Sequence, residues 1–307
     1  MRAVVFEEFG GPEVLHVKDV DEPHPGPGQI RVAVRAAGVN PMDYKIRHGW
    51  MDAFVPTTFP AVPGLELSGV VDETGEGVTD FAVGDEVLGW SATGAYAPYA
   101  LADVVVAKPA GLSWDEAAAI PVAGETALRV LDLLGVRDGE TLLLHGAAGA
   151  VGAMAAQLAV ARGATVIGTA SPANHEYVAS LGAVPVAYGD GLVDRVRAAA
   201  PQGVDAVFDT SGKGALPDSI ELRGGTTDRI ITIADPAAGE LGVTFSSGGT
   251  TPEAKRAGLA ENARLATEGA LRVRVAGTFP LAEAGKAQQT SEEGHAGGKL
   301  VITPEGR

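Results

Sequence analysis

Three glycines lie three residues apart, directly after an apolar run. The run is ETLLLH, and Gly146, Gly149 and Gly152 follow it in HGAAGAVG. Glycine permits a tight turn and a close approach of the backbone to a ligand, and a helix that begins here presents free N–H groups and the positive end of its dipole. Such a turn is typical of dinucleotide pyrophosphate binding, with Ala150 and Val151 at the helix start. The alternative is that the glycines serve only the packing of a helix on a strand.

The end of the next strand indicates which dinucleotide would bind. The strand ATVIGTA is followed by Ser171, and the first acid after it is Glu176. NAD sites use a carboxylate at this strand end to hold the ribose 2′-hydroxyl. Ser171 can instead donate to a 2′-phosphate, and Asn174, His175 and Tyr188 are further candidate donors, although each could be a solvated loop residue. We therefore predict NADPH as the cofactor.

The elements that must position these residues alternate from about residue 113 onward. A capping box in SWDEAAAI starts a helix, GETALRVLDLLGV continues as a helix with Thr126 at its opening, and strands then alternate with helices. Among the strands are ATVIGTA, VPVAY, VDAVFDTS and DRIITIAD. This order predicts an α/β fold, a Rossmann-type doubly wound parallel sheet.

The first third of the chain and its tail have a different pattern. Short strand-like segments separated by turn residues fill the first third, among them EVLHVKDV, QIRVAVRAAGV and DEVLGW. The tail, from LRVRVAGTFPL to KLVITP, is strand-like again. We expect the tail to rejoin the first part of the chain in one β domain.

Composition limits the classes of function. The 307 residues carry a net charge of −16 and no cysteine, which excludes disulfides, thiol nucleophiles and cysteine-ligated zinc. An acidic chain repels nucleic acid and anionic membranes, and no apolar run reaches the roughly 18 residues that a membrane span needs. We expect a cytoplasmic protein that binds neither nucleic acid nor membrane.

Several segments together resemble one known family. They are AAGVNPMDYKIRHG, PGLELSGVV, FAVGDEVLG, AAAIPVAGETAL, HGAAGAVG and GKLVITP. Their order and spacing resemble the zinc-independent quinone oxidoreductases of the medium-chain dehydrogenase/reductase superfamily. The resemblance implies a partly open β-barrel, the GroES-like catalytic domain, from residues 1–122 and 268–307. It also implies an NADPH-binding Rossmann domain at 123–267 and a homodimer.

The resemblance also bears on metal use. Zinc-dependent relatives have a cysteine where this chain has Asn40 and a histidine where it has Leu65, so we predict no metal. Zinc polarises a simple carbonyl, and an enzyme without it needs a substrate that is a better electrophile. A quinone or an α,β-unsaturated carbonyl fits, because conjugation spreads the charge that hydride addition creates, and a hydrogen-bond donor can stabilise it.

The resemblance further implies roles for individual residues. Asn40 would orient the substrate oxygen or the nicotinamide ribose, and Tyr44 or Lys45 would donate to a developing oxyanion. The alternatives are a turn residue for Asn40 and a solvated helical turn for the other two. The resemblance also implies that Thr126 contacts the nicotinamide end of the cofactor and that Lys299 lies near the cofactor. Ile233, Ala234 and Phe245 are further candidates, because they lie where strand ends should border the nicotinamide; the alternative is that they are buried in the sheet.

The predicted function is an NADPH-dependent, zinc-free reduction of a quinone or α,β-unsaturated carbonyl. Two alternatives stay open. One is a polyketide-tailoring or trans-acting enoyl reductase of the same fold, and the other is a non-catalytic NADPH-binding regulatory protein.

Overall fold

The structure is a computed structural model that describes residues 1–294 and 296–304. The chain forms two compact units. Unit 1 comprises Met1–Val122, Pro252–Gly269 and the described residues from Val273 onward, and unit 2 comprises Ala123–Thr251 and Ala270–Arg272. The sequence-based domain bounds differ chiefly in one helix, 252–267, which packs against a strand of unit 1.

The strands and helices are numbered in chain order. The strands are β1 (Arg2–Val5), β2 (His16–Asp19), β3 (Ile30–Val39), β4 (Glu66–Thr74), β5 (Glu86–Ser91), β6 (Tyr99–Ala107), β7 (Thr141–His145), β8 (Thr165–Ala170), β9 (Val184–Ala187), β10 (Ala206–Asp209), β11 (Ile230–Thr232), β12 (Thr244–Phe245), β13 (Val275–Pro280) and β14 (Lys299–Thr303). The helices are α1 (Pro41–Arg47), α2 (Trp114–Ala118), α3 (Pro121–Leu134), α4 (Ala150–Ala161), α5 (His175–Ser180), α6 (Leu192–Ala199), α7 (Leu216–Leu222), α8 (Pro252–Thr267) and α9 (Ala284–Glu293).

Unit 2 contains the parallel sheet that the alternation predicts. Its strand order is β12-β11-β10-β7-β8-β9, and every pair is parallel. All residues of β7 are buried, as expected for a strand covered on both faces. The chain runs outward from β7 through β8 and β9, and then restarts at β10 on the other side of β7. The carboxyl ends of β7 and β10 therefore form the topological switch point where ligands bind such sheets.

Unit 1 contains the barrel. Its sheet has the order β13-β14-β3-β4-β5-β6, and an additional pairing between β3 and β6 closes the last four strands into a ring. The tail rejoins this unit as predicted, because β14 pairs with residues 37–39 of β3. Alternate residues of β3, among them Ile30, Val32 and Val34, point into the unit 1 core. The fold class predicted from the sequence is confirmed.

Some predicted element bounds are wrong. Thr126 does not open a helix, because α3 begins at Pro121, whose fixed backbone angle suits a helix start. The segment EVLHVKDV is a 3-10 turn, begun by Pro12, followed by β2. The segment DRIITIAD is a strand only over β11, because the Thr232 side chain accepts the N–H groups of Ala234 and Asp235. Helices α7 and α9 were not predicted.

No helix in the described part of the chain has the length and apolar character that crossing a bilayer requires.

Candidate active site

The glycine turn lies at the switch point of unit 2. Gly146 has φ of 76°, and a Cβ at that position would lie 2.6 Å from the Thr210 hydroxyl. A Cβ at Gly152 would lie 2.1 Å from the carbonyl oxygen of Gly146, so this glycine is required for packing. Gly149 is different, because its φ of −76° is ordinary and a Cβ would meet only one atom, at 3.4 Å. Packing therefore accounts for two of the three glycines and leaves Gly149 beside open space.

Helix α4 begins at this open space. Gly149 is its N-cap and offers no side-chain hydrogen bond, and Ala150 and Val151 of the first turn are half-buried. The first N–H groups of a helix have no acceptor within the helix, and the dipole makes this end electropositive. The helix start fits the pyrophosphate of a dinucleotide.

The predicted 2′-phosphate donors follow two neighbouring strands, β8 and β9. Asn174 Nδ2 donates to the hydroxyl of Ser171 at 3.1 Å, which leaves the Ser171 proton available to a ligand. His175 Nε2 lies 3.3 Å from the carbonyl oxygen of Ala170, and Tyr188 is exposed after β9. The parallel pairing of β8 with β9 brings these residues to the same edge of the sheet.

The candidates for the nicotinamide end follow β11, end β12 or lie in α3. Ile233 and Ala234 are half-buried, and Phe245 is exposed. Thr126 is buried within α3, and its hydroxyl lies 3.3 Å from Glu125. The Glu125 carboxylate is held at 2.8 Å by Arg129.

A histidine under the turn holds it in place. His145 Nε2 lies 2.9 Å from the Ser219 hydroxyl, which donates to Ala215 O, so the histidine nitrogen is the donor. On the other side of the ring, Thr169 connects Nδ1 to the backbone N–H of Gly146. Burial lowers the pKa of His145, so the ring is neutral and serves as a structural hydrogen-bonding group.

In unit 1, the side-chain amide of Asn40 belongs to a buried polar cluster. Its Nδ2 donates to Glu66 Oε1 at 2.8 Å, and its Oδ1 accepts from Lys299 Nζ at 2.7 Å. Lys299 also forms an ion pair with Glu66, whose second oxygen accepts the backbone N–H of Val122 at 2.7 Å. The cofactor contact of Lys299 stays a prediction, since its side chain is 3% exposed within this cluster.

Asp43 extends the cluster into the first turn of α1. One oxygen accepts the backbone N–H of Asn40 at 2.7 Å and the hydroxyl of Tyr96 at 3.1 Å, whereas the other has no hydrogen-bond partner among the described residues. Burial raises the pKa of Asp43 to about 7 and the pKa of Tyr96 well above its ordinary value. The sequence did not identify Asp43 or Tyr96 as a pair, because 53 residues separate them.

Tyr44 and Lys45 are half-buried on the same helix. Burial raises the pKa of the Tyr44 hydroxyl and lowers the pKa of the Lys45 ammonium. Arg47, with no exposed surface, fixes α1 by donating to Gln288 at 2.9 Å and to Glu292 at 2.8 Å, both on α9. The helix that presents these two side chains is therefore held firmly at its carboxyl end.

The residues at the positions that bind zinc in relatives do not fit a metal. Asn40 offers a neutral amide oxygen that already accepts from an ammonium, and Leu65 offers no ligand atom. A cation so close would repel Zn²⁺, which prefers thiolate, imidazole or carboxylate ligands. In the part of the chain that the structure describes, no three His, Asp or Glu side chains are grouped to hold a metal.

Two family models match the chain. Residues 26–111 match the alcohol dehydrogenase GroES-like domain, and residues 181–302 match the model described as zinc-binding dehydrogenase. The first covers most of the barrel strands, and the second begins within unit 2 and ends in β14.

Individual relatives and solved structures are similar to this chain over nearly its whole length. A quinone oxidoreductase from Lama guanicoe is 32% identical over 98% of this chain and 97% of its own length. The quinone oxidoreductase structure from Coxiella burnetii matches with a TM-score of 0.88 at 33% identity, covering 99% of both chains. The Escherichia coli quinone oxidoreductase in complex with NADPH matches with a TM-score of 0.86 at 26% identity, covering 99% of this chain and 100% of that one.

Other curated relatives are matched over a shorter stretch, so that the chain spans between 53% and 56% of their length. The full-length matches and the shared fold nevertheless agree. The chain belongs to the quinone oxidoreductase family of the medium-chain dehydrogenase/reductase superfamily.

Proposed function

We propose that this protein is an NADPH-dependent reductase that transfers a hydride to a quinone or an α,β-unsaturated carbonyl without a metal. The observation that carries the proposal is the buried cluster around Asn40. Where zinc-dependent relatives bind their metal, this chain has an amide held by Lys299 and Glu66. Such a group can orient a conjugated carbonyl, but it cannot polarise a simple ketone as Zn²⁺ does.

The cofactor assignment rests on unit 2. The start of α4, with Gly149, Ala150 and Val151, would hold the pyrophosphate, and Ser171 would donate to the 2′-phosphate. When bound, NADPH supplies the hydride. The absence of a carboxylate at the end of β8 supports NADPH over NADH, because a carboxylate there would repel the phosphate.

The acceptor needs one proton in addition to the hydride, so that a quinone becomes a hydroquinone. The second hydrogen on Asn40 Nδ2 can donate to the substrate oxygen, since the first is used by Glu66. Tyr44 and Lys45 are the candidate donors for the developing oxyanion. The raised pKa of Tyr44 keeps its hydroxyl protonated, and the lowered pKa of Lys45 makes its proton easier to release.

The test is NADPH oxidation at 340 nm with 1,4-benzoquinone, a naphthoquinone, a 2-enone, an enoyl thioester and a plain aldehyde. The panel is repeated with NADH and with a chelator. We expect turnover of a quinone or an enone that is faster with NADPH than with NADH and is unchanged by the chelator. Asn40→Ala should lower kcat, whereas Asn174→Ala should act on the KM for NADPH.

Other outcomes would contradict the proposal in distinct ways. Aldehyde reduction that the chelator abolishes would refute metal-free catalysis. Turnover of the enoyl thioester alone would favour a tailoring enoyl reductase. NADPH binding with no turnover of any acceptor would favour a non-catalytic role.

A further inference from the structure

A buried carboxylate lies under the edge of the parallel sheet where the cofactor would bind. Asp209 is the last residue of β10 and has no exposed surface. Its Oδ1 accepts from the backbone N–H and the hydroxyl of Ser211, both at 2.9 Å, and from the N–H of Gly212 at 3.2 Å. These partners are all neutral donors, and they tie the carboxyl group of Asp209 to the loop after β10. Burying a carboxylate is costly unless donors surround it.

The second oxygen of Asp209 reaches the neighbouring strand. Asp209 Oδ2 accepts from the Thr232 hydroxyl at 2.8 Å, and the Thr232 oxygen in turn accepts the N–H groups of Ala234 at 3.1 Å and Asp235 at 2.9 Å. Because the threonine proton is committed to Asp209, its lone pairs face the backbone of the next loop. One carboxylate therefore fixes the loops after both β10 and β11.

The loop after β10 also shapes the glycine turn. The Thr210 hydroxyl donates to the carbonyl oxygen of His145 at 2.7 Å. A Cβ at Gly146 would lie 2.6 Å from that hydroxyl and 3.3 Å from Ser211 Cβ. A displacement of this loop would change the packing against Gly146, and with it the turn that leads into α4.

We propose that Asp209 is a positioning residue for the cofactor site. It sets the backbone of the loops after β10 and β11, which include the cofactor candidates Ile233 and Ala234 and border the glycine turn. This inference rests on the proposed function, because it assumes that a dinucleotide binds at this edge. Asp209 is buried and is not proposed to contact the cofactor.

The variants separate the carboxylate from its partner. Asp209→Asn keeps the shape of the side chain but replaces one acceptor oxygen with an NH2 group. That group then faces donors, either those of the loop after β10 or the hydroxyl of Thr232. Thr232→Val keeps the shape and removes both the donor to Asp209 and the acceptor for Ala234 and Asp235. Thr232→Ser restores the hydroxyl. Thr165→Val, at the opposite end of the sheet on β8, is the control for loss of a threonine hydroxyl away from the cofactor site; Thr165 is exposed.

The measurement is the NADPH dissociation constant by fluorescence titration, together with Tm and kcat at saturating cofactor. We expect D209N and T232V to weaken NADPH binding by about tenfold or more, T232S to rescue it to within about threefold of wild type, and T165V to leave it unchanged. If T232V lowers Tm and leaves the dissociation constant unchanged, the role is purely structural and the inference is overturned.

The remaining outcomes are also decisive. If D209N does not fold, the comparison of T232V with T232S decides alone. If the wild type binds NADPH and no variant differs, this inference fails and the proposed function stands. If the wild type binds neither NADPH nor NADH, both fail.

Discussion

The ammonium of Lys299 lies 2.7 Å from the side-chain oxygen of Asn40. The contact joins the first residue of β14 to the N-cap of α1, residues 259 positions apart. Together with the bond from Asn40 Nδ2 to Glu66, it sets the orientation of the amide, with its oxygen toward the cation and its nitrogen toward the carboxylate. The amide is fixed before any substrate arrives, which is the condition for efficient positioning.

This arrangement predicts a large stability cost for breaking the ion pair from one side. Glu66→Gln leaves the buried ammonium of Lys299 without its counter-charge, and we expect the free energy of unfolding to fall by about 3 kcal/mol. The double variant Glu66→Gln with Lys299→Met removes both charges and should recover part of that loss. Urea unfolding of the four proteins in the cycle measures the coupling.

The matched control is an exposed pair. Glu7 forms an ion pair with Lys18, and both side chains are exposed, so solvent screens the pair and Glu7→Gln should destabilise the protein far less than Glu66→Gln. Equal losses for Glu66→Gln and Glu7→Gln would show that burial does not amplify the interaction.

Because the pKa of Asp43 is raised in the folded protein, we predict that this residue makes the free energy of unfolding fall as the pH rises. Burial raises its pKa from 3.8 to about 7 in the folded protein, so the native state holds a proton that the unfolded state releases between these values. The contribution of protonated Asp43 to the free energy of unfolding is therefore complete at low pH and is lost as the pH rises toward about 7. Asp43→Asn, which cannot titrate, removes the effect.

The measurement compares wild type with Asp43→Asn by urea unfolding at about pH 4.5 and about pH 7.5. We expect the stability of the wild type relative to the variant to fall by on the order of 3 kcal/mol over this range. The difference between the two proteins is needed because carboxylates such as Glu140, whose pKa is lowered by Arg229, contribute with the opposite sign. A constant difference would mean that Asp43 has an ordinary pKa when folded.

Local sequence patterns were enough to predict the order of strands and helices and the glycine turn, whereas side-chain contacts between residues far apart in the sequence could not be predicted. The alternation after residue 113 and the glycine turn after ETLLLH are readable because strand, turn and helix signals lie within about 30 residues. Asp209 had no such signal, since its partner Thr232 lies on another strand and an acid at a strand end is common. Thr126 was misplaced because GETAL looks like a helix start, although Pro121 had already begun the helix.

Gly152 and Gly149 should respond differently to alanine. Gly152→Ala places a methyl 2.1 Å from the carbonyl oxygen of Gly146, so the backbone must shift, and we expect a loss of about 3 kcal/mol in the free energy of unfolding. Gly149→Ala places its methyl 3.4 Å from the same oxygen, an ordinary contact, and should cost about 1 kcal/mol or less, since alanine is a poorer N-cap than glycine. Urea unfolding distinguishes the two.

Although Gly149 contributes little to stability, we expect it to matter for NADPH binding. A larger side chain in Gly149→Val fills the open space at the start of α4, and we expect the NADPH dissociation constant to rise about tenfold while the protein still folds. Normal NADPH binding by a folded Gly149→Val would place the pyrophosphate elsewhere.

Ser171 should control the choice between the two cofactors. Ser171→Asp adds a carboxylate at the end of β8, which repels a 2′-phosphate and can accept from a ribose 2′-hydroxyl. We expect the kcat/KM for NADPH to fall about tenfold or more, equivalent to about 1.4 kcal/mol, while the value for NADH rises. Ser171→Ala removes the donor without adding charge and should lower NADPH use by a smaller factor, without a gain for NADH. The repulsion in Ser171→Asp should weaken in high salt. If the NADPH to NADH ratio is the same in all three proteins, the 2′-phosphate does not bind at this strand end, and the preference for NADPH loses its structural basis.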